Sequence, residues 1–167
     1  MALTSGISVA VNATQTETLD LGSASAPVSI RRAMSLVDGT GAGQADLVFH
    51  DRRTLSASGT EDLDLAGSLE DAFGATLTFA RVKAIYVGAA AANTNLVQVT
   101  RPASNGLALF LAASDGIAVR PGGFFAWGAS DATGVAVTAG TGDLLTFTNS
   151  AGSTSVTYDI VIIGASA

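Results

Sequence analysis

The clearest pattern along the chain is a period-two alternation of apolar and polar side chains, interrupted at short intervals by glycine and proline. In 154–164, Val156, Tyr158, Ile160 and Ile162 fall on one face, Thr157 and Asp159 point the other way, and Gly164 ends the run. Just before it, 143–149 sets Leu145 and Phe147 against Leu144, Thr146 and Thr148. The intervening Ser150, Ala151, Gly152 and Ser153 predict a hairpin loop that makes the two strands neighbours. The longest candidate strand is 76–88, where Leu77, Phe79, Ile85 and Val87 share a face with Arg81 and Lys83. Two cations in an apolar stripe are costly to bury unpaired. That strand therefore either runs from core to surface or meets acidic groups of another chain at its centre. Further candidate strands are 7–11, 28–37, 45–55, 96–101, 106–111, 117–120, 123–128 and 134–138.

One short helix is predicted at 69–73, with Ser68 as cap, Asp71 three residues on as in a capping box, and Gly74 as terminator. Residues 16–22 echo 60–67, and both read as strand ends leading into turns. These elements predict an all-β fold: an antiparallel β-sandwich, jelly-roll-like, with an N-terminal arm and one short connector helix. The glycine-rich stretch 38–44 reads as a joint. It divides the chain into an arm or hairpin with its joint, 1–44, and a β-sandwich domain, 45–167. Ile30, Met34 and Leu36 give the arm apolar positions that must pack on its own domain or on a neighbour.

Composition adds an expectation of assembly. The 167 residues suit one domain, or one domain plus an arm. Only 13% of them are charged, against about 25% in ordinary soluble domains. Ser, Thr, Gly and Ala stand where a lone soluble monomer usually carries mixed charge. Neighbouring subunits are expected to cover much of the surface; the alternative is a monomer with a neutral hydroxyl surface. A net charge of −6 and a single lysine, Lys83, argue against a nucleic-acid partner, which calls for a basic stripe. With no cysteine there is neither a disulfide nor a thiolate metal site, and redox-independent folding suits bacterial cytoplasm. The opening MALTSGISVAV lacks the features of a signal peptide. The weakly polar run 84–92 is too short to cross a bilayer, so no membrane association is expected.

Tests for chemistry leave little. The one histidine, His50, has Asp51 adjacent, on the opposite face of a strand, and no G-x-S-x-G elbow accompanies it. A structural or interface histidine is the expectation. There is no Gly-Lys-Ser/Thr phosphate loop, and Gly39, Gly41 and Gly43 lack the strand–helix setting of a dinucleotide site. Asp62 and Asp64 begin like a calcium loop, but Ala66 and Phe73 occupy positions that need ligands. The aromatic cluster Phe124, Phe125 and Trp127 reads mainly as core, with Phe124 on the face opposite the other two. No catalytic, cofactor-binding or metal residues are predicted, and the chain is not expected to be an enzyme. In a strand, the pairs Arg31-Arg32 and Arg52-Arg53 each place one guanidinium on either face. They are solvated edge residues or inter-subunit ion pairs. With Arg81 and Lys83, they are the candidate interface residues.

Several stretches carry a family likeness. One runs Phe49-His50-Asp51-Arg52-Arg53-Thr54-Leu55, then Gly59-Thr60-Glu61-Asp62-Leu63-Asp64-Leu65-Ala66-Gly67. Residues 71–84 continue it, followed by Val119-Arg120-Pro121-Gly122-Gly123, Asp131-Ala132-Thr133-Gly134, Thr141-Gly142-Asp143-Leu144-Leu145 and 155–164. Over roughly 46–164 the chain resembles small virion structural proteins of tailed bacteriophages, most of all capsid decoration (cement) proteins; the arm lies outside the resemblance. The resemblance implies no catalytic residues and no cofactor. It implies a protein of the virion, assembled in the host cytoplasm, that binds the outer surface of the head and stabilises the shell. Its partners would be the major capsid protein and copies of itself, as a homotrimer. The alternatives are a tail, neck or baseplate component of the same virion, or a receptor- or glycan-binding β-sandwich module.

Overall fold

The computed structural model of the protein describes residues 2–167; Met1, counted with the arm above, lies outside the described residues. The described residues form strands and turns with no helix. The strands are β1 Ser5–Leu19, β2 Gly22–Leu36, β3 Leu47–Leu55, β4 Thr60–Asp64, β5 Leu69–Glu70, β6 Thr76–Leu77 and β7 Arg81–Ala89. They continue with β8 Val97–Thr100, β9 Gly116–Val119, β10 Phe124–Gly128, β11 Val135–Ala136, β12 Leu144–Asn149 and β13 Val156–Ala165.

β1 and β2 form a two-stranded antiparallel ribbon, closed at Asp20-Leu21 and paired without a register shift from Ser5↔Leu36 to Leu19↔Gly22. At about 3.3 Å per residue the ribbon is roughly 45 Å long. The body holds two larger antiparallel sheets. One has the order β10-β7-β13-β3, with β11 also on β7; the other has the order β4-β12-β8-β9. Their apolar faces share one core. Phe49, Ile85, Val87, Tyr158, Ile160 and Ile162 come from the first sheet, and Leu63, Val97, Val99, Leu145, Phe147 and Val119 from the second. Alternation accounts for most of this: the inward positions are mainly apolar, though β3 also turns Asp51 and Arg53 to that side, and two such faces close on each other to exclude water.

The structure corrects four expectations. Residues 69–73 are not a helix. Leu69 and Glu70 pair with Leu77 and Thr76, and the Asp71 carboxylate accepts from the Phe73 and Ala75 amides at 2.8 and 2.9 Å, turning the chain at Gly74. Aspartate's readiness to bond nearby backbone amides favoured the turn over the helix. Strand 76–88 is broken: the amides of Phe79 and Ala80 go to Leu65 O and Ala165 O, so β6 and β7 are separate. Residues 106–111 are turns rather than a strand, with Leu107 buried against the core. Finally, β12 and β13 are not a hairpin. They lie in different sheets, β12 between β4 and β8, β13 between β3 and β7. Both strands carry a mainly apolar inward face, and stacking the two across the core buries both. Phe147 and Tyr158 meet there at 4.7 Å between centroids with rings 3° apart.

Candidate interaction surface

The ribbon has two unlike faces. Cross-strand partners share a face, so Ile7, Val9, Val11 and Ala13 line up with Met34, Arg32, Ile30 and Val28. The opposite face pairs Ser8, Ala10, Asn12 and Thr14 with Ala33, Arg31, Ser29 and Pro27. Only the root of the apolar face is covered. Ile7, Met34 and Leu36 pack with Ala84, Ile163, Val48 and Val161 of the body. Further out, Val11 is 55% and Ile30 53% exposed, with Val9 and Val28 also exposed.

The covered root sits on the outer face of the first sheet. Strand register places three rows across that face: Gly128, Ala84, Ile163 and Val48; then Ala126, Tyr86, Val161 and His50; then Phe124, Gly88, Asp159 and Arg52. The ribbon covers the first row and packs against Val161 of the second, and leaves Tyr86, His50 and the third row open. Phe124, 61% exposed, stacks on exposed Tyr86 at 6.2 Å. Crevices flank the ribbon root, one reaching Val9 and Ala126, the other Ser8, Tyr86 and Val161. Sequence reasoning missed Val9, Val11, Val28 and Tyr86 as surface features. Alternation alone reveals two faces but not which of them lacks a cover.

The six candidate cations divide into two groups. Arg52 binds Asp159 through two bonds of 2.6 and 3.0 Å on the outer face, which raises the guanidinium pKa and lowers that of the carboxylate. Arg53, on the core side of the same strand, reaches across to Glu61 of the second sheet at 2.6 Å. Its Nε lies 3.1 Å from Asp51 yet is not aligned for a hydrogen bond. Glu61 also accepts from the Tyr158 hydroxyl at 2.7 Å; burial, then this carboxylate, push the tyrosine pKa far up. Arg81 donates to the carbonyls of Ala132, at 2.9 Å, and Thr40. Lys83 is fully buried and donates to the Asp131 carbonyl, and desolvation lowers its pKa. Arg31 and Arg32, by contrast, stand exposed on the ribbon with no carboxylate partner among the described residues.

The Asp131 carboxylate accepts from Thr133 Oγ1 at 2.6 Å, Gly134 N at 2.7 Å and Thr133 N at 2.8 Å. These bonds hold its pKa at about 2 instead of 3.8. Because the folded pKa lies below the unfolded one, the stability is present above pH 3.8 and lost as pH falls towards 2. Asp159 adds to the same acid-side loss. Urea midpoints measured from pH 5 to pH 2 are expected to fall, and Asp131→Ala to fall less steeply; equal slopes would contradict this role.

His50 is exposed on the outer face opposite Val161. It borders a cleft of about 570 Å³ that also contains Asp38, Asp46, Asp71 and Phe73. The three carboxylates already bind backbone amides: Asp38 that of Leu3, Asp46 that of Ser166, and Asp71 those of Phe73 and Ala75. They act as turn and terminus clamps. The arrangement as a whole offers apolar surface for docking, with Arg31 and Arg32, which have no carboxylate partner among the described residues, on the same ribbon. Compared with protein-family models, curated proteins and solved structures, the chain matches none.

Proposed function

We propose that the chain is a structural protein of a tailed-phage virion, a decoration or cement protein that binds the outer surface of the head and stabilises the shell. Its partners are the major capsid protein and copies of itself, arranged as a homotrimer. The observation that carries this reading is the projecting ribbon, whose apolar face is bare beyond its root. A two-stranded ribbon is marginal in water by itself, so a ribbon this long fits a protein whose surroundings cover it. The low charge points the same way.

Strand order supports a jelly-roll sandwich. Leaving out the ribbon and the two-residue strands, the body strands in chain order are β3, β4, β7, β8, β9, β10, β12 and β13. One sheet then reads first, eighth, third, sixth and the other second, seventh, fourth, fifth. This is the order produced by folding one long antiparallel hairpin over on itself. Jelly rolls of this type recur in viral capsids and in lectins.

A cryo-EM map of intact particles tests the role. Density for the sandwich repeated over the head lattice is expected; density confined to tail, neck or baseplate would transfer the protein to that rival. The exposed Phe124–Tyr86 pair favours a glycan-binding module as the second reading, since sugars stack on such rings. Glycan binding that Phe124→Ala abolishes, together with no density on the head, would decide for it.

A further inference from the structure

We propose that the apolar face of the β1–β2 ribbon docks on the outer face of the first sheet of a second copy of this chain. The donor surface is Val9, Val11, Val28 and Ile30; the acceptor is exposed Tyr86 and Phe124, bordered by half-buried Ala126 and Val161. The first reason is continuity with packing already present. Within one copy, Ile7 and Met34 of this same stripe cover Ala84 and Ile163 of this same sheet face. Further out along the stripe Val9, Val11, Val28 and Ile30 are exposed, and further out on the sheet Tyr86 and Phe124 are exposed, so two copies hold matching remainders of one interface.

The second reason is charge. Arg32 lies on the apolar stripe beside Val9, so whatever covers the stripe must also meet a cation. On the acceptor face, Asp159 lies in the row next to Tyr86 and Val161, with 48% of its side chain exposed. It can accept a further donor besides Arg52. The third reason is reach. A ribbon of roughly 45 Å is longer than the ~30 Å width of a small domain, so it can cross a neighbouring subunit.

Donor and acceptor are different surfaces. One ribbon per copy laid on one sheet per copy closes either as a reciprocal two-fold exchange or as a heterologous ring. The inference deepens the assembly reading but concerns the chain's own surfaces. It is tested on purified protein, whereas the virion role is tested on particles, so either can fail without the other.

The chain has no cysteine, which makes cross-linking clean. Val11→Cys and Ile30→Cys proteins are each mixed with Tyr86→Cys and Phe124→Cys proteins and oxidised. Disulfide-linked dimers are expected in at least one mixture and in no single variant alone. Ribbon variants that cross-link with themselves would overturn the proposal in favour of ribbon-on-ribbon packing, and a monomer at every concentration would overturn it outright. Ile30→Asp is expected to weaken self-association at least tenfold by sedimentation. Because Ile30 lies away from the body core, the unfolding midpoint of the body should stay unchanged, and retained association would overturn the proposal.

Discussion

Phe147→Ala is expected to lower the free energy of unfolding by about 3–5 kcal/mol. Phe147 is fully buried on β12 and stacks on Tyr158 of the opposing sheet. Truncation removes the transfer energy of the ring and the stacking, and leaves a void between two layers that are each pinned by their own ladders. Neither sheet can collapse into that void without breaking register, which places the cost towards the upper end. Urea unfolding should show a lower midpoint with an unchanged slope, and the melting temperature should fall by roughly 6–20 °C. Phe147→Leu should recover much of the loss. A change below about 1 kcal/mol for the alanine variant would mean that the two sheets do not meet at this ring.

Asn149→Ala is expected to cost about 2–4 kcal/mol. Its buried amide donates to Thr154 O at 2.7 Å and Ser56 O at 2.8 Å, while its oxygen accepts from Asn95 Nδ2 at 3.0 Å. Asn95 Nδ2 in turn reaches Thr154 O at 3.1 Å and Ala151 O at 3.3 Å. The two side chains thus satisfy the backbone of the arch that carries the chain from β12 in one sheet to β13 in the other. Alanine would strip one of two donors from Ser56 O, which keeps the Gly59 amide, and from Thr154 O, which keeps Asn95 Nδ2, and would take the Asn149 acceptor away from the buried Asn95 amide. Asn149→Asp should cost at least as much, because it removes the donor and places a charge in the same site. Equilibrium unfolding checks both; an effect within experimental error for either would show that the arch does not depend on this amide.

The arch also shows where local reading stops. The period-two pattern made β12 and β13 legible as strands with named inward residues, because side-chain direction in a strand depends only on the strand itself. It did not reveal their partners. A short polar linker fits a hairpin and a sheet-to-sheet arch equally, and the choice falls to two asparagines whose role exists only once Ser56 and Thr154 are brought together. The short helix at 69–73 was lost to a similar competition. Asp71 can cap a helix or close a turn, and pairing of Leu69 with Leu77 selects the turn.

The candidate interaction surface divides in the same way. The arginine doublets were visible as residues that present one cation to each face, which follows from strand geometry. That Arg52, Arg53, Arg81 and Lys83 find acceptors inside the chain, while Arg31 and Arg32 find none among the described residues, depends on contacts distant in sequence. The burial of Lys83 against a carbonyl of the 131–134 turn could not be inferred from its neighbours. By itself, then, the sequence determined strands, their inward residues, the absence of thiol chemistry and the low charge, all properties of composition or of the nearest few residues. Only the tertiary structure decided that the ribbon, beyond its packed root, leaves its apolar face bare and that Tyr86 and Phe124 lie exposed on the sheet face its root covers. Exposure depends on which surfaces of the whole chain have already found each other.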